Sequence, residues 1–247
     1  MLGAVGDAGY FYRRLPRRVQ SRVEDLVASL TDLAGSELVA IVVAGGVARG
    51  DFREDSSDVD LLVVLRRASR GLLTRVGRPI AIARAAARVD VKLLIEAEIP
   101  RSSDVFPLWF EDVRANRHVL HGTDPFTALE VRREHQRLRI EQELREATIA
   151  LRLAAAEAHG DGPMLAAAVE HITGQLRRPL RALLNLVGVP CETHALDLVL
   201  GKAGKRLVVP VSRLTRPASQ PEEAYDELEH LLAKAVAEAD LHDAEAP

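Results

Sequence analysis

An α/β unit followed by an all-helical region is the architecture this sequence predicts, on three observations. Apolar runs rich in β-branched residues recur at Leu38 to Ala44, Val59 to Leu65 and Val89 to Ile95. Helical periodicity precedes and separates them, as in a sheet covered by helices. Beyond Arg101 the periodicity is helical only, which predicts two domains, residues 1–100 and 101–247.

Taken in order, Pro16 lies near a helix start, and Leu15, Val19, Val23, Leu26, Leu30 and Leu33 recur at helical spacing until Gly35. The runs 38–44 and 59–65 suit strands buried on both faces. An Ala-rich helix from near Ser69 to Arg88 leads into the third strand. In the second half, Ser103 or Asp104 can cap a helix carrying Phe106, Trp109, Phe110, Val113 and Val119, with Gly122 placed to end it. The aromatic residues there read as core. A Gly-Thr-Asp-Pro turn at 122–125 opens a long charged helix to about His159; Asp161 starts another and Thr193 can cap a short one. The last helix runs from Glu222 to Ala239. Pro179 should kink or divide the helix from Ile172 to Val187.

Composition narrows the classes. With 47% apolar and 28% charged residues in 247, the chain reads as an ordinary globule with a real core. Its net charge of −3 gives no global basic field, and 4% aromatic content leaves few stacking platforms, so nucleic acid is not expected as a partner. Cys191 is the only cysteine, which excludes an intrachain disulfide and suits a reducing cytoplasm. The apolar part of Met1 to Tyr12 precedes its arginines, the wrong order for a secretory signal, and no apolar stretch is long enough to span a membrane. The eight histidines show no HxH or HExxH spacing, so zinc is not expected.

The most telling segment is Val43-Ala44-Gly45-Gly46-Val47-Ala48-Arg49-Gly50-Asp51, followed by Asp58-Val59-Asp60-Leu61-Leu62. Gly45 and Gly46, lacking Cβ atoms, let a phosphate approach the main chain. Asp58 and Asp60 alternate along a strand and so share a side, with Cα atoms about 6 to 7 Å apart. Two anions held that close call for a cation, and Mg²⁺ with nucleotide phosphates in its shell is the natural candidate. Arg49 could reach a phosphate oxygen, while Asp51, Glu54 and Asp55 read as residues that solvate the loop and raise cation affinity.

A glycine pair after a strand, a polar loop and then DxD entering a buried strand resembles the nucleotidyltransferase superfamily that includes polymerase beta. The resemblance covers Leu38 to Ile95, and Ala48-Arg49-Gly50-Asp51 is similar to the small bacterial members. Many members have serine where this chain has Gly46, which removes one hydroxyl donor. The resemblance implies an α/β (α+β) nucleotidyltransferase domain with a short mixed sheet, followed by an all-α helical bundle domain. It also implies a third carboxylate on an adjacent strand. Asp90 in Arg88-Val89-Asp90-Val91 matches, with Glu96 as the fallback; taken alone, Asp90 reads as an edge-strand acid paired with Arg88 or Lys92.

With three acids, Asp58 and Asp60 would hold two Mg²⁺ ions against a nucleoside triphosphate, and Asp90 would accept the acceptor hydroxyl's proton or orient it through the second metal. Lys92, two residues beyond Asp90, would share its face and contact the nucleotide. Size and domain order resemble the aminoglycoside nucleotidyltransferases, implying AMP transfer from ATP to a small-molecule hydroxyl. Rival readings are an antitoxin-like enzyme that adenylylates a protein, and a noncatalytic nucleotide-binding sensor. The sequence His121-Gly122-Thr123-Asp124-Pro125 resembles a turn of the antibiotic-modifying members, although a helix end explains it equally. Arg132, Arg133, Arg137 and Arg139 are interleaved with glutamates and read as a solvated helix face. Arg177, Arg178 and Arg181 lack nearby acids, leaving a triphosphate contact or a second subunit of a homo-oligomer open.

Overall fold

The computed structural model describes residues 15–50, 52 and 58–242. The expectations for Met1 to Tyr12 and for Asp51, Glu54 and Asp55 fall outside them. Helix α1 (Arg17–Ala34) buries Val19, Val23, Leu26 and Leu30, the face its periodicity marks. Strand β1 (Leu38–Ala44) runs into the short helix α2 (Gly45–Arg49), and β2 (Val59–Leu65) follows. Helix α3 (Arg70–Ala87) starts where Ser69 Oγ accepts the Leu72 amide, and it leads into β3 (Val89–Ile95).

The sheet order is β3-β2-β1-β4, with β1 antiparallel to both neighbours and β2 parallel to β3, so it is mixed. Helix α3 supplies the long connection that a parallel pair needs. Alternation splits the strands between two layers. Ile41, Val43, Leu61 and Val63 pack with Val23 and Leu26 of α1 and Leu72 and Val76 of α3. Ala40, Val42, Leu62 and Val64 turn the other way, against Ile99, Phe110, Val113 and Phe126. Asp60 lies between Val59 and Leu61 of the first layer, and Asp90 between Val89 and Val91, so both acids belong to the second face.

After β3 the structure departs from the expected single helix. Helices α4 (Ile99–Val105) and α5 (Pro107–Ala115) replace it, because Pro107 disfavours helical backbone in the residue before it. Ser103 is inside α4 and donates to Pro100 O at 2.8 Å instead of capping. Phe110 is buried as expected, whereas Phe106 is 52% exposed. Residues Arg117–Gly122 form strand β4 on the free edge of β1. Val119 is therefore a strand residue, and Gly122 ends a strand. Gly122 has φ +80°, and a Cβ there would lie 2.0 Å from Val39 O, so close passage over β1 explains this glycine. The first compact unit accordingly extends past Pro100, comprising the described residues up to Asp104 together with Trp109–Val131.

The second unit is a helical bundle of α6 (Arg133–Ala158), α7 (Gly162–Gln175), α8 (Arg177–Leu186), α9 (Leu196–Leu207) and α10 (Pro221–Leu241). Ile140, Leu144, Val169, Leu180, Leu228 and Leu231 are in its core. Asp161 caps α7 by accepting the Met164 amide at 2.9 Å. The helix around Pro179 is divided at Leu176; proline has no N–H to continue the ladder from the preceding turn. Thr193 Oγ1 accepts the Ala195 amide just ahead of α9. Arg137 and Arg139 pair with Glu141 and Glu143 at i,i+4, but Arg137 is buried, so the expected solvated face is only partly one. Among the described residues, no helix is long and apolar enough to cross a membrane.

Candidate active site

Cross-strand register aligns Ala44 with Asp60 and Asp60 with Asp90. Neighbouring strands lie about 4.8 Å apart, so residues in one row present their side chains side by side on one face. The start of β2 and the start of β3 therefore bring together two acids separated by thirty positions. Asp58, two residues before Asp60, is close enough for its charge to act on the Asp60 carboxyl.

The backbone bends around this row. Gly45 follows Ala44 with φ +70°, and a Cβ on it would lie 2.5 Å from Asp60 Oδ2. Any other residue would meet both the left-handed backbone penalty and the carboxylate. Gly46 differs, since its nearest neighbour would be Arg49 Nη2 at 3.8 Å. Two contacts anchor α2. Arg49 Nη1 donates to Asp112 Oδ2 of α5 at 3.0 Å, and His118 Nε2 of β4 lies 3.1 Å from Ala48 O. Arg49, expected to face a phosphate, is thus held by a carboxylate, with 12% of its side chain exposed.

The acids meet cations from α3 and β3. Lys92 Nζ donates to Asp90 Oδ2 at 2.6 Å and lies 3.6 Å from Asp60 Oδ1. Arg84 Nη2 donates to Asp90 Oδ1 at 3.1 Å, and Arg88 Nε to Asp58 Oδ1 at 2.8 Å. Of the two cations the sequence offered for Asp90 taken alone, Lys92 contacts it while Arg88 donates to Asp58, and Arg84 was not anticipated. Their i,i+4 spacing at the end of α3 was the available signal. Arg88 adopts φ +50° as the helix ends, and its carbonyl accepts the Val59 amide at 3.0 Å.

Electrostatics separates the acids. Burial pushes the Asp60 carboxyl above its ordinary value; Lys92 opposes this, and the charges of Asp90 and Asp58 add to it. Asp90 is held below the ordinary value, chiefly by the Lys92 hydrogen bond, with Arg84 assisting. For Lys92, burial acts downward, but the Asp90 hydrogen bond and the Asp60 charge outweigh it and raise the ammonium.

Three carboxylates are the hard oxygen donors that Mg²⁺ prefers, and Asp60 and Asp90 share a face, so the donor set fits that ion. Among the described residues, however, no group of three His, Cys, Asp or Glu side chains is already gathered to hold a metal ion. The oxygens are turned to lysine and arginine instead. Glu96, the fallback for the third acid, lies in a 3-10 turn beyond the far end of β3.

A mixed four-stranded sheet with a glycine turn pressed against an acidic strand row defines a class. Residues 23–115 match the family model described as a nucleotidyltransferase domain. Apart from residues 105–108, that match lies within the first compact unit and covers its glycine turn and all three acids. Among solved structures, it is similar to spectinomycin adenyltransferase AAD(9) from Enterococcus faecialis, crystallised with ATP and spectinomycin. The TM-score is 0.51 at 11% identity, over 89% of this chain and 98% of that one. That likeness is one of fold. No curated protein matches the chain in sequence.

Proposed function

We propose that this chain transfers a nucleoside monophosphate, AMP from ATP, to a hydroxyl of a small-molecule acceptor such as an aminoglycoside, with Mg²⁺ as cofactor. The carrying observation is the row that sets Asp60 and Asp90 side by side under the Gly45 turn. The adenyltransferase of similar fold, crystallised with ATP and an antibiotic, supports the substrate class.

Asp58, Asp60 and Asp90 would hold Mg²⁺, which when bound neutralises charge on the triphosphate and on departing pyrophosphate. Gly45 and Gly46 keep the turn clear of side chains so that phosphate can lie along the main chain. Asp90 would take the acceptor hydroxyl's proton once Lys92 and Arg84 leave its oxygens, since the hydrogen bonds that hold its carboxyl below the ordinary value also weaken it as a base. The acceptor oxygen then bonds to the α-phosphorus as the bond to pyrophosphate breaks. Lys92 would meet phosphate oxygens once it leaves the acids.

One observation favours the nucleotide-sensor reading: Lys92, Arg84 and Arg88 already neutralise the acids, so the carboxylates do not require a metal to coexist. Incubation with α-labelled ATP and Mg²⁺, first with an aminoglycoside panel and then with cell lysate, separates the readings. Label in a small molecule supports the proposal, label in a protein supports the antitoxin-like alternative, and ATP binding without transfer supports the sensor.

A further inference from the structure

We propose that Lys92 is a built-in counter-cation that holds Asp60 and Asp90 together in the metal-free protein and competes directly with a divalent cation for them. The inference rests on the reading of Asp58, Asp60 and Asp90 as a cation site. Two carboxylates in register on adjacent strands repel unless positive charge lies between them. Among the described residues, Lys92 is the cation in contact with both, at 2.6 Å from Asp90 and 3.6 Å from Asp60. Arg84 contacts Asp90 and Arg88 contacts Asp58, and both are more exposed, at 62% and 54% against 42% for Lys92.

Placement makes the contact reversible. Lys92 lies two residues beyond Asp90 on β3, so its stem rises from the same face and no backbone change is needed to release it. A compact ammonium on a flexible stem can leave the carboxylates, whereas an arginine fork is held by its geometry. An ammonium and a divalent cation repel at this range, so the two states exclude each other. Metal entry would then free the lysine, and the released ammonium would face the triphosphate. Such coupling would keep cation affinity low until nucleotide arrives to receive the lysine.

The test is Mn²⁺ titration without nucleotide, followed by electron paramagnetic resonance, on the wild type, Lys92→Met, Lys92→Arg and Arg84→Met. Lys92→Met, which keeps the stem and removes the charge, should bind roughly tenfold tighter. Lys92→Arg should bind no tighter than the wild type, and Arg84→Met should gain less than Lys92→Met. A second measurement needs no variant: acetylation of Lys92 by acetic anhydride, mapped by mass spectrometry, should accelerate when Mg²⁺ alone is added to the wild type. Equal or weaker Mn²⁺ binding by a folded Lys92→Met protein, beside a wild type that binds Mn²⁺, overturns this inference alone. Lysine labelling indifferent to Mg²⁺, at a Mg²⁺ concentration that displaces bound Mn²⁺ from the wild type, does the same. Mn²⁺ bound by neither protein overturns it together with the cation-site reading beneath it.

Discussion

Two clusters of carboxylate and cation occupy opposite ends of one cross-strand row, and burial makes them behave differently. At the β4 end, Arg117 reaches both oxygens of Asp124, with Nη2 to Oδ2 at 2.7 Å and Nε to Oδ1 at 3.2 Å. The Phe126 amide donates to the same carboxylate, and Arg117 also donates to Arg114 O. Only 13% and 11% of the two side chains are exposed. At the β3 end, Asp60, Asp90 and Lys92 are each about 40% exposed. Burial raises the Asp124 carboxyl, but the Arg117 and Phe126 hydrogen bonds more than reverse it. Asp60 has no such surplus and stays raised. The first cluster is a fastening, with largely buried partners on several sides; the second is paired as well, but its partners are long side chains open to solvent.

The largest expected effect separates function from fold. Asp60→Asn should lower nucleotidyl transfer by at least about 10²- to 10³-fold, the scale seen when a preorganised electrostatic group is removed, while far-UV circular dichroism is unchanged. Transfer near wild-type rates would remove Asp60 from the reaction. Next, Asp124→Asn should destabilise the protein by about 2 kcal/mol in urea unfolding, the scale of a charge-assisted hydrogen bond, with little change in nucleotide affinity. A stability loss at Asp60 equal to that at Asp124 would erase the contrast.

A smaller effect tests the turn between them. Gly45→Ala should lose about 1–2 kcal/mol from its left-handed backbone, and also transfer activity because the new methyl displaces Asp60. Gly46→Ala, with open space around it, should stay within about 0.5 kcal/mol of the wild type. Equal losses at the two positions would refute the close approach.

The subtlest test is the sign of pH dependence. The folded Asp124 carboxyl lies below its unfolded value, so its stabilisation is complete above the ordinary carboxylate range and is lost as pH falls through the depressed value. The folded Asp60 carboxyl lies above its unfolded value, so its effect is opposite: the charge destabilises the fold above the raised value, and the penalty disappears as pH falls below the ordinary range. Stability of Asp124→Asn and Asp60→Asn, each subtracted from wild type between pH 3 and 7, should therefore change in opposite directions. Parallel curves would show that one description covers both clusters.

Local signals were legible along the chain. The strand runs at 38–44, 59–65 and 89–95 appear with those bounds, and the expected helix from near Ser69 to Arg88 forms as 70–87. Pro179 marks a divided helix because a missing N–H acts wherever it occurs. The failures are non-local. Arg117–Gly122 is half-buried up to its exposed last residue and follows a helix-patterned stretch; it becomes a strand because the edge of β1 offers hydrogen bonds. Phe106 lies in the break that Pro107 imposes, so helical spacing did not reveal its exposure.

At the site, the glycine turn is written in consecutive residues, and Asp60 lies on β2 as its apolar run predicts, while Asp58 falls just ahead of the strand. Which partners those acids keep depends on register between β2 and β3 and on where α3 ends, distances that no single stretch of chain encodes. Arg84 and Arg88 reach Asp90 and Asp58 through that packing, and Arg49 is claimed by Asp112 across sixty-three positions. Residue chemistry and short-range geometry can be read in order along a chain; the balance of burial and charge that raises Asp60 and lowers Asp90 exists only once separate segments share one dielectric environment.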